Sequence, residues 1–158
     1  MRITEIQQGS QGILLLTTAG QIKLEVLGER IIRVVYTQRK QFSDTPSLMI
    51  LPQNNPAVSW SMEEDEATVT LKTDQFQMLI NKTAGAFTWL DTAGNLLVRE
   101  PEQGGKWLTE VPVEKAVFDD DADVSAQHTA DGLKTTATSS KIVVDRMAYS
   151  TKFALEFS

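Results

Sequence analysis

Between Thr73 and Glu100 the chain reads as three short strands joined by two tight turns, and this constrains its fold more than any other stretch. Phe76, Met78 and Ile80 alternate with Gln75, Gln77 and Leu79, and Phe87 and Trp89 continue the period of two across the next turn. The run Asp91-Thr92-Ala93-Gly94-Asn95 then reverses the direction. Strand-length runs separated by Gly-containing turns make an antiparallel meander. A sheet with one apolar face needs a second layer to cover it, so the expectation is an all-β protein, an antiparallel β-sandwich.

Strand signals recur along the rest of the chain. Ile13–Thr17 is a short apolar run, and Ile22, Leu24 and Val26 share one face of the next. Gly28-Glu29 suits a two-residue type II′ hairpin. The return run, Arg30–Tyr36, is β-branched and apolar on both faces, which predicts a central strand with Arg33 near one rim. Polar residues and two prolines, Pro52 and Pro56, break the pattern from Thr37 to Pro56. Sheet resumes at Ala67–Lys72 and leads into the meander. After a looser segment from Pro101 to Pro112, further strands are expected at 113–118, 124–129, 133–139 and 151–157, with Asp131-Gly132 as a hairpin turn. Val143–Tyr149 is the one place where a helical turn competes. No linker or repeat divides the chain, so residues 1–158 are expected to form a single β-sandwich domain.

Composition narrows the function. A 158-residue chain can bury a sizeable core, and 41% hydrophobic with 23% charged residues describes an ordinary globular protein. A net charge of −6, with Arg39-Lys40 the only adjacent basic pair, argues against nucleic acid as a partner. No apolar run is longer than the four residues of Ile13–Leu16, far short of the ~20 residues that span a bilayer, so no membrane is expected. Zero cysteines exclude disulfides and thiolate metal sites and fit a reducing cytosol; with no secretory signal in the amino-terminal segment, the location expected is cytoplasmic. The Asn81-Lys82-Thr83 sequon is then a chance match.

Candidate chemistry is sparse. Asp119-Asp120-Asp121-Ala122-Asp123 invites a calcium loop, but Val124 stands where an EF-hand needs Gly and Ala130 where it needs the bidentate Glu; a solvated acidic turn is the better reading. His128 is the only histidine, with no nucleophile elbow to serve and no second histidine to share a zinc ion. Asp91 opens a D-x-x-G turn, where its carboxylate serves backbone N–H groups better than it would serve as a glycosidase nucleophile. A glycosidase also needs a second carboxylate held ~5–10 Å away, and no spacing singles one out. No catalytic residue, metal site or cofactor is therefore expected. Of the three tryptophans, Trp89 has the phase of a core residue. Trp60 and Trp107 lie near irregular segments and are the candidate carbohydrate contacts, as platforms for a sugar ring.

Several phrases together resemble one enzyme family. Arg30-Ile31-Ile32-Arg33-Val34 is similar to an early strand of glycoside hydrolase family 31, the α-glucosidase and α-xylosidase family, and Ser47-Leu48-Met49-Ile50 falls where that family has a Ser-x-Met/Val segment. Leu71-Lys72-Thr73-Asp74-Gln75-Phe76 and Leu90-Asp91-Thr92-Ala93-Gly94-Asn95-Leu96-Leu97 resemble its meander, and Phe153–Phe157 sits where the family approaches its E-x-x-Y-G-L-G-E segment. The resemblance covers residues 20 to 158; Met1–Gly20 has no match.

The resemblance implies a galactose mutarotase-like supersandwich, the amino-terminal part of a longer multidomain glycosidase whose catalytic (β/α)8 barrel would be its partner. The family's W-x-D-M-x-E nucleophile motif is missing, so none of its catalytic residues carries over. The implied role is non-catalytic: packing on the barrel and helping delimit the site where the full enzyme hydrolyses an α-linked carbohydrate. Two rival readings are a free-standing carbohydrate-binding sandwich and a mutarotase-type epimerase. The lone His128 speaks against the second.

Overall fold

The computed structural model describes residues 1–47, 58–118, 120 and 122–157. Every regular element in it is a strand. The chain divides into two compact units, Met1–Trp107 with Lys152–Ser158, and Leu108–Thr151. Each is described by itself.

The first unit holds two antiparallel sheets. One contains β1 (Ile3–Gly9), β2 (Gly12–Thr17), β3 (Gly20–Gly28) and β4 (Ile31–Thr37), paired in chain order. The other contains β5 (Trp60–Glu64), β6 (Thr68–Thr73), β7 (Phe76–Asn81), β8 (Phe87–Asp91), β9 (Leu96–Arg99) and β14 (Glu156–Phe157), in the order β14-β9-β8-β7-β6-β5. The meander predicted from Thr73 to Glu100 is β7–β8–β9, with Phe76 opposite Asp91 and Ile80 opposite Phe87.

Alternation decides the core. Ile13, Leu15, Ile22, Leu24 and Val26 from the first sheet meet Val69, Leu71, Phe76, Met78, Ile80 and Phe87 from the second in one buried cluster. Two sheets sharing one apolar interior constitute a sandwich. The opposite faces mix polar residues with half-buried apolar ones such as Leu14, Leu16, Val35 and Leu79, and charge guards the β5 edge through Lys72–Glu63 (2.7 Å) and Lys82–Glu64 (2.6 Å). At the Asp91–Asn95 reversal Gly94 takes φ +86°, a conformation that a side chain disfavours.

Several expectations are corrected. Arg30–Tyr36 is not a central strand: β4 pairs with β3 alone among the described residues and forms an edge. Ile32, Val34 and Tyr36 pack on the core, while Arg33 lies beside Glu25 at 2.9 Å. The β-branched run reports extended backbone, which an edge strand shares with a central one. The β3–β4 turn is Glu29-Arg30 rather than Gly28-Glu29; Gly28 keeps a negative φ and pairs with Ile31 across a register shift. Two strands, β1 and β5, stand where none was expected. The strand signals at 13–17, 22–27 and 67–72 correspond to β2, β3 and β6.

The second unit consists of two-stranded sheets. β10 (Lys106–Phe118) pairs with β13 (Ser140–Phe153), and β11 (Val124–Thr129) pairs with β12 (Gly132–Ala137); their turn is Ala130-Asp131 rather than Asp131-Gly132, because Gly132 already pairs with Thr129. Val143–Tyr149 is strand throughout, so no helical turn forms there, and β10 takes up half of the supposedly looser 101–112 segment. No described residue from Leu108 to Thr151 is buried. Leu48, Met49, Ile50, Pro52, Pro56, Asp119 and Asp121 lie outside the described residues.

Candidate functional site

The residues nominated from sequence do not converge. Trp60 opens β5, packs half-buried against the sandwich core, and donates its indole N–H to the Ser10 carbonyl at 3.3 Å. Trp107 is 41% exposed, with the Lys152 ammonium 5.5 Å from its ring centre. Trp89 keeps the core phase assigned to it and meets Phe87 edge-on at 5.8 Å.

His128 is exposed on β11 opposite Leu133. Asp120 and Asp123 are the described members of the acidic run, and no cluster of metal-ligating side chains occurs among the described residues. No helix among them is long and apolar enough to cross a membrane. Asp91 serves its turn as expected: its carboxylate accepts from Ala93 N–H (2.9 Å), Asn95 N–H (2.8 Å) and the Asn95 side-chain amide (2.8 Å). These bonds, that of the Asn95 side chain first, hold its carboxyl below the usual range for an aspartate.

Two features escaped the sequence reading. The first is a buried ion pair. Lys106, at the start of β10, donates from Nζ to Glu100 Oε2 and to the Gly85 carbonyl (3.1 Å), with its ammonium 3.4 Å from the centre of the Phe87 ring. Glu100 also accepts the Phe87 N–H at 2.9 Å. Both residues are at least 93% buried, and they are the only buried charged side chains described. Burial pushes the Lys106 ammonium below the ordinary lysine range, against the opposing pull of Glu100. Gly105 closes the clasp: a Cβ there would lie 2.6 Å from both the Ala154 carbonyl and Glu100 Cγ. The bonds from Lys106 Nζ and from the Phe87 N–H converge on Glu100 Oε2 and clamp the segment between β9 and β10. Nothing in the spacing of Glu100 and Lys106 separates them from exposed acids and lysines elsewhere.

The second is a groove of about 510 Å³ between the β3–β4 turn and the β7–β8–β9 face. Phe76 and Trp89 form its floor, and Ile31 and Leu97 stand exposed as its walls. Arg30, Gln75 and Asp91 mark its rim. The Arg30 guanidinium donates to Gln75 Oε1 from Nη2 (2.8 Å) and Nε (3.3 Å), and Thr73 Oγ1 donates to the Glu29 carbonyl at 2.6 Å. These bonds tie the turn of one sheet to the other.

With this geometry in place, comparison with known proteins is informative. A family model described as the glycosyl hydrolase 31 N-terminal galactose mutarotase-like domain matches residues 21–151. Among solved structures, a GH31 α-xylosidase from Xanthomonas citri superposes with a TM-score of 0.59 at 22% identity, covering 76% of this chain and 14% of that one. A GH31 dextranase from Flavobacterium johnsoniae, complexed with isomaltotriose, gives a TM-score of 0.58 at 13% identity, covering 74% and 16%. The chain thus spans about one-seventh of these proteins, and at such identities the likeness establishes the fold.

Proposed function

Because the chain belongs to the family of glycosyl hydrolase 31 N-terminal galactose mutarotase-like domains, we propose that it serves as the non-catalytic amino-terminal part of a retaining α-glycosidase of the α-glucosidase or α-xylosidase type. The family match across residues 21–151 is the observation that carries this reading. In it the sandwich packs on a catalytic (β/α)8 barrel of the same parent chain and helps to delimit the carbohydrate site.

Burial supports the packing role. The second unit presents Leu133, Ile142 and Val144 at 58–63% exposure. Isolated two-stranded ribbons are marginal in water, and apolar surface of this kind marks a face that another surface covers. A barrel domain is the partner that the family reading supplies. The cytosol is the compartment proposed, supported by the absence of cysteine.

Two assays test the reading. The 158-residue chain alone, incubated with α-linked glucosides and xylosides, is expected to release no sugar. The longer enzyme carrying a barrel is expected to hydrolyse them, and to lose soluble expression when the segment corresponding to this chain is deleted. Hydrolysis by the chain alone, or a barrel that folds and works without it, overturns the proposal.

A further inference from the structure

Both walls of the groove beside the β3–β4 turn stand at departures from regular pairing. The β3–β4 register shifts between Val26 and Gly28, bringing Ile31 opposite Gly28. The β8–β9 register shifts between Trp89 and Leu90, which face Val98 and Leu96 and leave Leu97 with no residue opposite. Bulges re-aim side chains and concentrate beside binding sites, so two at the walls of one groove mark a built feature. The cross-sheet bonds of Arg30 and Thr73 hold those walls in place beforehand, which lowers the ordering cost of binding.

The lining specifies the ligand class. Six of the nine lining residues are apolar or aromatic and three are polar, the balance typical of small-molecule sites, and about 510 Å³ falls within their usual ~300–1,000 Å³. The polar three are one cation, one anion and one amide, so their charges cancel and a charged ligand gains nothing from them. Each keeps capacity for hydrogen bonding. Among the described residues, Arg30 engages two of its five N–H groups, the Gln75 side-chain amide nitrogen donates to no protein atom, and Asp91 Oδ2 accepts a single bond. A neutral molecule with one apolar face and a rim of hydroxyls fits this arrangement.

We propose that the groove is a sugar-binding site that takes a neutral pyranose unit, its apolar face over the Phe76–Trp89 floor and its hydroxyls on Arg30, Gln75 and Asp91. The choice of sugar rests on the carbohydrate reading above; the groove itself does not. An apolar anchor from a protein partner is the competing occupant, but it would leave the remaining hydrogen-bonding capacity of the three polar groups unused.

The test is a nitrogen-15 NMR titration of the chain with isomaltotriose. Saturable shifts are expected at the Trp89 indole N–H and the Gln75 side-chain amide. Arg30→Ala and Gln75→Ala are each expected to weaken binding about tenfold, the effect of removing one charge-assisted or neutral hydrogen bond. Trp107→Ala is expected to leave it unchanged. Both rim residues are exposed, and the dispersion of each variant's spectrum checks that it folds. Absence of saturable shifts up to the solubility of the sugar overturns the proposal, as does binding that survives both rim substitutions or shifts confined to Trp107. Hydrolysis by the longer enzyme is a separate readout, so a silent groove leaves the family role standing, and an inactive longer enzyme leaves the groove standing.

Discussion

The two compact units are built from the same sequence period and end in opposite conditions. In the sandwich, alternating Ile22, Leu24 and Val26 are at most 7% exposed, because a second sheet lies across them. In the ribbon unit, alternating Ile142 and Val144 on β13 are 63% and 58% exposed. Alternation makes a strand and sorts its side chains to two faces, but it does not supply the layer that covers a face. The energetic weight of the chain should therefore sit in the sandwich.

The largest difference is expected from matched truncations. Phe87→Ala empties a fully buried site and removes the ring beneath the Lys106 ammonium, and should cost about 3–5 kcal/mol in denaturant unfolding. If Phe87→Ala left the unfolding midpoint in place, the core assignment would be wrong.

Lys106→Met comes next. Removing one member of a buried pair leaves Glu100 uncompensated, and should cost about 3 kcal/mol. The same residue gives a pH test. Its pKa is lower in the folded chain than the ordinary 10.5, so between those two values the unfolded chain binds more protons. The Lys106 contribution to stability therefore rises with pH across that window and is constant below it. Unfolding midpoints measured at stepped alkaline pH should show this rise in the natural chain and a flatter profile in Lys106→Met. Identical profiles would mean that the ammonium is not held in a dry site.

A smaller loss is expected from Gly105→Ala. The added methyl meets the Ala154 carbonyl and the Glu100 side chain at 2.6 Å, and overpacking of this kind costs about 1–3 kcal/mol. Thermal unfolding reads it directly.

The smallest effect belongs to the ribbon unit. Ile142→Ser on its exposed strand should shift stability by no more than about 0.5 kcal/mol. Backbone amides of the described residues from Leu108 to Thr151 should exchange with deuterium well before those of β3 and β7, since none of those residues is buried. A large destabilisation by Ile142→Ser, or equal protection in both units, would erase the contrast. In the proposed longer enzyme the same substitution should instead become costly, because the face is then covered.

Much of the sandwich is legible in the sequence. The meander and the Asp91–Asn95 reversal follow from residues two to five apart, as does a hairpin between β11 and β12 although its turn sits one residue earlier than expected, and the expected all-β class holds. The edge position of β4 did not, because Ile32, Val34 and Val35 favour extended backbone whether one neighbour or two is present. The candidate site was less legible still. Trp60 and Trp107 stand near irregular segments of the sequence, a local cue, whereas the groove draws Arg30, Gln75 and Trp89 from three separate parts of the chain.

What the amino-acid sequence determined by itself was local: where backbone is extended, where it turns, and which residues share a face. Tertiary structure alone decided which faces are covered, that Glu100 and Lys106 are buried together, and that two bulged strands frame one groove. The physical reason is range. Backbone preference and alternation are written within a few residues, whereas desolvation and packing depend on partners tens of residues away.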